Sequence, residues 1–341
     1  MSEHLKEHFD VVALGNAIVD VIAHTTDDFL IKQGLIKGSM RLIDEAEASR
    51  LYALMATSTM TSGGSAANTI AGLASLGGQG AFIGKVHNDQ RGAHFAHDIR
   101  ALGVRFLTLP SYEGAATACS YILVTPDGER TMNTYLGACQ NLTYLDIDES
   151  LIKNAKIVYL EGYLWDPPAA KAAFRKAAEL AHKADGKVAL TLSDAFCVDR
   201  YRDEFLQLVR EGVIDILFAN EHELRSLYTE ANTSHALEAL RAEKISPDFI
   251  AIITRSEQGA LWLCNGDIIE EPAQRVEKVI DSTGAGDLFA AGVLYGITKN
   301  LDAQTCLRLG AMAASEVISH IGARPAVLLR DLALEQGLIK I

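Results

Sequence analysis

Short runs rich in β-branched and aromatic side chains alternate with longer amphipathic stretches along the 341 residues of this chain. The runs cover 11–14, 81–83, 157–160, 188–192, 214–218 and 249–254. Their apolar residues fall on consecutive positions, the pattern of strands buried on both faces. The stretches 65–76, 91–102, 169–184, 202–210, 221–228, 285–298 and 303–320 read as helices. Repeated strand and helix predicts an α/β fold in which helices cover a mostly parallel sheet. Two segments break the rhythm. Residues 117–135 read as a hairpin around the turn Thr125-Pro-Asp-Gly128, and 19–43 lacks helical periodicity. Both are expected to be strands, either of a small projecting sheet or of two edge hairpins on the one sheet.

Composition narrows the function classes. With 49% hydrophobic and 22% charged residues the chain is not intrinsically disordered. A net charge of −13 argues against nucleic acid as a partner, because phosphate contacts need a basic surface. A small anionic ligand stays open, since a local positive potential can sit inside an acidic protein. Five scattered cysteines form no disulfide framework and no metal-ligand spacing, which points to a reducing cytoplasm. The first ten residues lack the apolar core of a signal peptide, and no apolar run is long enough to span a bilayer.

Three glycine-rich or polar segments sit where strands and helices meet. In Asp281-Ser-Thr-Gly284-Ala285-Gly286-Asp287 a glycine turn opens an apolar helix. Small residues there let a ligand approach backbone N–H groups at a helix N-terminus, which favours anions. Asp287 on the first turn either stabilises the dipole or does chemistry; its residue type leaves both open. Ser62-Gly-Gly64-Ser65-Ala-Ala-Asn68 opens a second helix, and Asn68 can donate and accept. Its small residues serve close helix packing equally well. Asn220 and Glu223 form a capping-box pattern at the end of a strand, where open α/β sheets also bind ligands. A Walker A loop is absent: Gln79 stands where its first glycine belongs, and Val86 follows Gly84-Lys85. Gly63-Gly64-Ser65-Ala66-Ala67 is one glycine short of a nucleophile elbow, which leaves a serine hydrolase built on Ser65 as a distant option.

Together these motifs resemble the ribokinase-like (PfkB) carbohydrate and nucleoside kinase family. Its signatures match Gly63-Gly64-x-x-x-Asn68 and Asp281-x-x-Gly284-Ala285-Gly286-Asp287, with Asn220-x-x-Glu223 between them and a looser Thr254-x-Ser256-x-x-Gly259. Within the family the resemblance is closest to the adenosine kinases, through Gly15-Asn16-Ala-Ile-Val-Asp20, 215–221 and 310–325. Two positions depart from the family pattern: His87 and Ser256 each stand in place of a glycine.

The resemblance implies a three-layer αβα domain over the whole chain, with a small β-sheet lid inserted from about 19–43 and 112–137. It implies transfer of the ATP γ-phosphoryl group to a primary hydroxyl, here the 5′-hydroxyl of adenosine, giving AMP and ADP. Asp287 would be the base, with a pKa that need not be raised much. The N–H groups of Gly284, Ala285 and Gly286 would hold the transferring group, and Arg130 would reach the phosphates. Asn16, Asp20, Gly64, Ser65 and Asn68 would bind the acceptor, with Met132 and Leu136 covering the base. Asn220, Glu223, Thr254, Ser256 and Gly259 would serve the nucleotide, Glu223 acting on Mg²⁺ through water. Some members bind K⁺ beside the segment matching Asp281 and Thr283. The family includes monomers and lid-mediated homodimers. Two other functions share the fold: a sugar or other nucleoside kinase, and a non-catalytic nucleotide sensor.

Overall fold

A computed structural model describes residues 8–243 and 245–340. Most of the N-terminal segment read above as lacking a signal peptide lies outside the described residues. The strands in chain order are β1 (Phe9–Leu14), β2 (Ile18–His24), β3 (Met40–Leu42), β4 (Ser58–Gly63), β5 (Gly80–Ile83), β6 (Arg105–Phe106), β7 (Cys119–Val124) and β8 (Arg130–Tyr135). They continue with β9 (Ala155–Glu161), β10 (Lys187–Thr191), β11 (Ile216–Asn220), β12 (Ile250–Thr254), β13 (Ala260–Cys264) and β14 (Asp267–Glu271). Nine form one sheet in the order β14-β13-β12-β11-β10-β9-β1-β5-β6. It is parallel except for the β12–β13–β14 meander.

One hydrophobic core lies on each face of this sheet. The consecutive apolar residues of the parallel strands feed both, so Val12 and Leu14 enter one core while Val11 and Ala13 enter the other. The helix Ser65–Ser75 packs on the helix Ala285–Thr298. Gly72 permits the contact, because a Cβ there would lie 2.5 Å from a Leu288 side-chain carbon. That close approach sets the N-terminal turns of the two helices beside each other. Among the described residues no helix is long and apolar enough to cross a membrane.

The other five strands form a second sheet, β3-β8-β7-β2-β4. The hairpin expected around Pro126 is β7–β8, paired antiparallel from Cys119↔Tyr135 to Val124↔Arg130. The reading of 19–43 as strands alone is corrected: β2 and β3 flank a helix, Asp27–Gln33, capped by Thr26 and ended by a left-handed Gly34. The sheet also takes in β4, whose sequence STMTSG carries little apolar signal. The period-2 alternation splits its faces. Val21, Cys119, Tyr121 and Leu123 join Leu30, Ala48 and Leu51 in a small core, while Asp20, Ser120, Ile122, Met132 and Thr134 face a cavity. β1 runs into β2 through residues 15–17 alone, and β4 runs into the helix Ser65–Ser75 through Gly64.

Candidate active site

A cavity of about 950 Å³ follows the carboxyl ends of β1, β9, β10, β11 and β12, with the small sheet forming one wall. Ligands of open α/β sheets sit at this edge because loops and helix N-termini converge there. Asn16, Asp20, Gly64, Ser65, Asn68, Met132, Leu136, Asn220, Glu223, Thr254, Gly284, Ala285, Gly286 and Asp287 all line it.

Asp287 lies on the first turn of the helix Ala285–Thr298. Ser65 donates its hydroxyl to Asp287 Oδ1 at 2.7 Å, and Asn68 Nδ2 donates to Oδ2 at 3.0 Å. Burial pushes the Asp287 carboxyl up to about 6, against the pull of those two hydrogen bonds. This exceeds the small shift expected from sequence, yet leaves a carboxylate at neutral pH. Ser65 is thereby committed to holding Asp287, and no imidazole hydrogen-bonds its hydroxyl among the described residues. The hydrolase option therefore lacks the imidazole of a serine triad.

Gly284 caps this helix at φ +80°, and no side chain caps it. A Cβ at Gly284 would lie 2.8 Å from the Ala323 Cα, so the turn admits only glycine. The Ala285 N–H reaches Ser282 O at 3.3 Å, so it is less available to a ligand than expected. The Gly286 N–H belongs to the first helical turn and has no intrahelical acceptor, beside open space. An uncapped N-terminus of this kind fits an anion.

At the acceptor end Glu161 is buried and accepts three N–H bonds: Asn16 Nδ2 at 2.7 Å, Ala66 N at 2.8 Å and Asn16 N at 3.3 Å. It fastens the β1–β2 junction to the helix Ser65–Ser75. The Asn68 Oδ1 is buried with no partner, an acceptor left for a ligand hydroxyl. Burial holds Asp20 and Glu161 up at about 7, although Arg130 and Arg324 draw Asp20 down. At the other end Glu223 accepts from Asn220 N at 2.9 Å and Asn220 Nδ2 at 2.6 Å, while Asn220 Oδ1 accepts the Glu223 N–H. The capping box is real, and Glu223 still borders the cavity with its carboxyl pushed by burial to about 7.

Three expected site residues lie elsewhere. Arg130 does not border the cavity. Its Nη1 pairs with Asp281 and donates to Thr283 Oγ1 at 3.0 Å, joining β8 to the start of the glycine turn. Its side chain is only 9% exposed, so it is not a free surface charge of the hairpin. Asp281 further accepts from Thr283 N and Gly322 N. Ser256 and Gly259 form a tight turn between β12 and β13 outside the cavity; Ser256 takes the left-handed backbone that the family's glycine there would adopt freely. Of that motif only Thr254 faces the cavity.

Sequence reasoning missed Glu161, Tyr163, Asp166, Ser193, Phe196 and Arg200, all of which line the cavity. Glu161 carried the signal that singled out Asn220, a polar residue ending a buried strand. Ser193 is a non-glycine residue at φ +72°. Its hydroxyl accepts from Tyr163 N at 3.1 Å, and its carbonyl accepts from the Tyr163 hydroxyl at 3.3 Å, which fixes the ring. Phe196 and Arg200 sit at the start of a helix, Ala195–Arg210, that begins seven residues before the expected one and kinks at Tyr201.

The cavity's carboxylates give a stability prediction. In an unfolded chain Asp20, Asp287, Glu161 and Glu223 titrate near 3.8 and 4.5; folded, they titrate near 6 to 7. Between those limits the native state binds more protons, so its stability falls as pH rises through that window. The urea midpoint should be lower at pH 8 than at pH 5, and Glu161→Gln should shrink the difference. An equal or higher midpoint at pH 8 contradicts the assignment.

A buried carboxylate beside a helix N-terminus that no side chain caps is an arrangement suited to phosphoryl transfer to an alcohol group. The sequence profile of the pfkB family carbohydrate kinases matches residues 29–328, and the chain belongs to that family. It is 48% identical to an adenosine kinase from Sinorhizobium meliloti, with a TM-score of 0.90 over 97% of this chain and 100% of that one. It is also 48% identical to a probable sugar kinase from Rhizobium etli, with a TM-score of 0.91 over 97% and 99% of the two chains. An adenosine kinase from Saccharomyces cerevisiae is 25% identical over 92% of this chain and 95% of its own length.

Proposed function

We propose that this kinase transfers the terminal phosphoryl group of ATP to the 5′-hydroxyl of adenosine. The observation that carries the reading is the Asp287 carboxylate, held by Ser65 and Asn68 at an uncapped helix N-terminus. Asp287 takes the hydroxyl proton as the 5′-oxygen bonds to phosphorus and the bond to the β-phosphate oxygen breaks, giving AMP and ADP. In a loose phosphoryl-transfer transition state the proton can leave late, so a carboxylate of modest basicity suffices. The N–H groups of the Gly284–Gly286 turn stabilise charge on the transferring group. Asp20, Asn16 and the free Asn68 Oδ1 receive ribose hydroxyls. Met132 and Leu136 cover the base.

Mg²⁺ fits the nucleotide end: Glu223 is an acidic group on the cavity wall, oriented by Asn220. A Mg²⁺ bound with the nucleotide there, contacted by Glu223 through water, supplies countercharge to the phosphates. The named relative from Sinorhizobium meliloti supports the nucleoside acceptor. The reading places the protein in the cytoplasm, recovering preformed nucleoside as a monomer or homodimer, with no nucleic-acid partner.

A sugar kinase is the second reading. Glu161 adds a carboxylate to the hydroxyl-binding end, and the relative from Rhizobium etli is named a probable sugar kinase. ADP release measured with adenosine, inosine, ribose and fructose decides between them. Turnover is expected with adenosine; turnover with a free sugar and none with adenosine rejects the first reading.

A further inference from the structure

Tyr163, Asp166 and Arg200 also line the cavity, the last two as a charged pair. Asp166, from the loop after β9, receives the Tyr201 hydroxyl at 2.6 Å and Arg200 Nη2 at 3.0 Å. The Arg200 guanidinium stacks on the Phe196 ring, 4.5 Å from its centroid. Asp166 is thus oriented from two sides, while its side chain stays 26% exposed and that of Arg200 31% exposed. Two other charges on the cavity wall are held by partners of their own, away from this pair. Arg41 is bonded to Asn133 and Glu47, and Asp194 caps its helix through the Cys197 N–H at 2.6 Å.

We propose that Asp166 and Arg200 read the edge of the nucleobase and select a 6-amino purine over a 6-oxo purine. This rests on the nucleoside reading above. In this proposal an acceptor whose 5′-oxygen lies at Asp287 and whose sugar lies at Asn16, Asp20 and Asn68 reaches the pair with its planar base, within the one cavity that all of them line. Tyr163, held by Ser193, lines the same cavity. An ionised carboxylate is an acceptor only and a guanidinium a donor only. Asp166 therefore accepts from an exocyclic amino group, while Arg200 donates to a neighbouring ring nitrogen. A 6-oxo group would set a second acceptor against Asp166. The kink at Tyr201 breaks the helix Ala195–Arg210 immediately after Arg200, and the Tyr201 hydroxyl donates to Asp166.

The test compares kcat/KM for adenosine, inosine and purine riboside, which lacks a 6-substituent, in the full-length protein. The wild type should favour adenosine over inosine by at least about tenfold. The pair is partly open to water, so discrimination falls well below that of a buried polar site. Asp166→Asn presents an amide that can donate or accept, and the adenosine-to-inosine ratio should fall about tenfold. Its kcat/KM for purine riboside should stay within about threefold of wild type, which shows an intact fold and phosphoryl site. Arg200→Gln should lower the ratio by less, through looser orientation of Asp166. A wild-type ratio near one, an unchanged ratio in Asp166→Asn, or equal losses with purine riboside and adenosine overturns the assignment while leaving a nucleoside kinase standing. No turnover of any nucleoside by the wild type, with turnover of a sugar, overturns both.

Discussion

Asp287→Asn should lower kcat by about a thousandfold while KM for both substrates stays within about threefold. Positioned general bases contribute on the order of 10²–10⁴. An amide of the same shape still accepts from Asn68 and can donate to the Ser65 oxygen, but it cannot take a proton. A loss confined to kcat is the mark of an interaction made in the transition state. The same substitution should raise thermal stability at pH 8, because it removes a carboxylate that burial holds near 6 and that must ionise there. In the wild type, kcat/KM should fall as pH drops through about 6, since protonated Asp287 cannot act as base. An Asp287→Asn protein with near-normal kcat, measured by coupled ADP release, removes Asp287 from the chemistry.

Glu161→Ala should have the second large effect, on stability and acceptor binding together. It strands the Asn16 N–H, the Asn16 amide and the Ala66 N–H in a buried site. Each buried donor without an acceptor costs about 1–3 kcal/mol. Relief from a buried carboxylate offsets part of this, so a net loss of about 2–4 kcal/mol is expected by urea unfolding at pH 7. KM for the acceptor should rise at least about tenfold, with KM for ATP nearly unchanged, because Asn220, Glu223 and Thr254 lie at the far end of the cavity. Equal rises in both KM values would mean that Glu161 supports the whole domain and not the acceptor end.

The large sheet was legible because a strand buried on both faces must be apolar at every position, and runs such as 157–160 and 249–254 announce that directly. The small sheet was legible only in part: the turn at Pro126 marks its β7–β8 hairpin, whereas β3 and β4 are short or polar and bury little. β4 reads Ser58-Thr-Met-Thr-Ser-Gly63 and is recognisable by its pairing with β2, a long-range fact. The helix Asp27–Gln33 is too short for its apolar spacing to stand out, although Thr26, Asp27 and Asp28 at its start are ordinary N-terminal residues. Motifs at strand–helix junctions located the cavity floor, since Gly64, Asn220 and Gly284 are fixed by local backbone needs. The outer wall escaped notice because Tyr163, Asp166 and Arg200 meet only through the packing of separate elements. Arg130 was chosen for its charge, and its position at Asp281 depends on how the small sheet sits against the glycine turn.

The join between the two sheets has a mechanical consequence. β1 leads into β2 through three residues, one of which is Asn16, and β4 leads into the next helix through Gly64. In the proposed reading those connectors are also the points a bound acceptor touches. Any swing of the small sheet therefore bends the backbone at its own contact groups. In that reading, grip on the acceptor and position of the small sheet are one coordinate, with Asn16 as the fulcrum and Glu161 as the bearing beneath it.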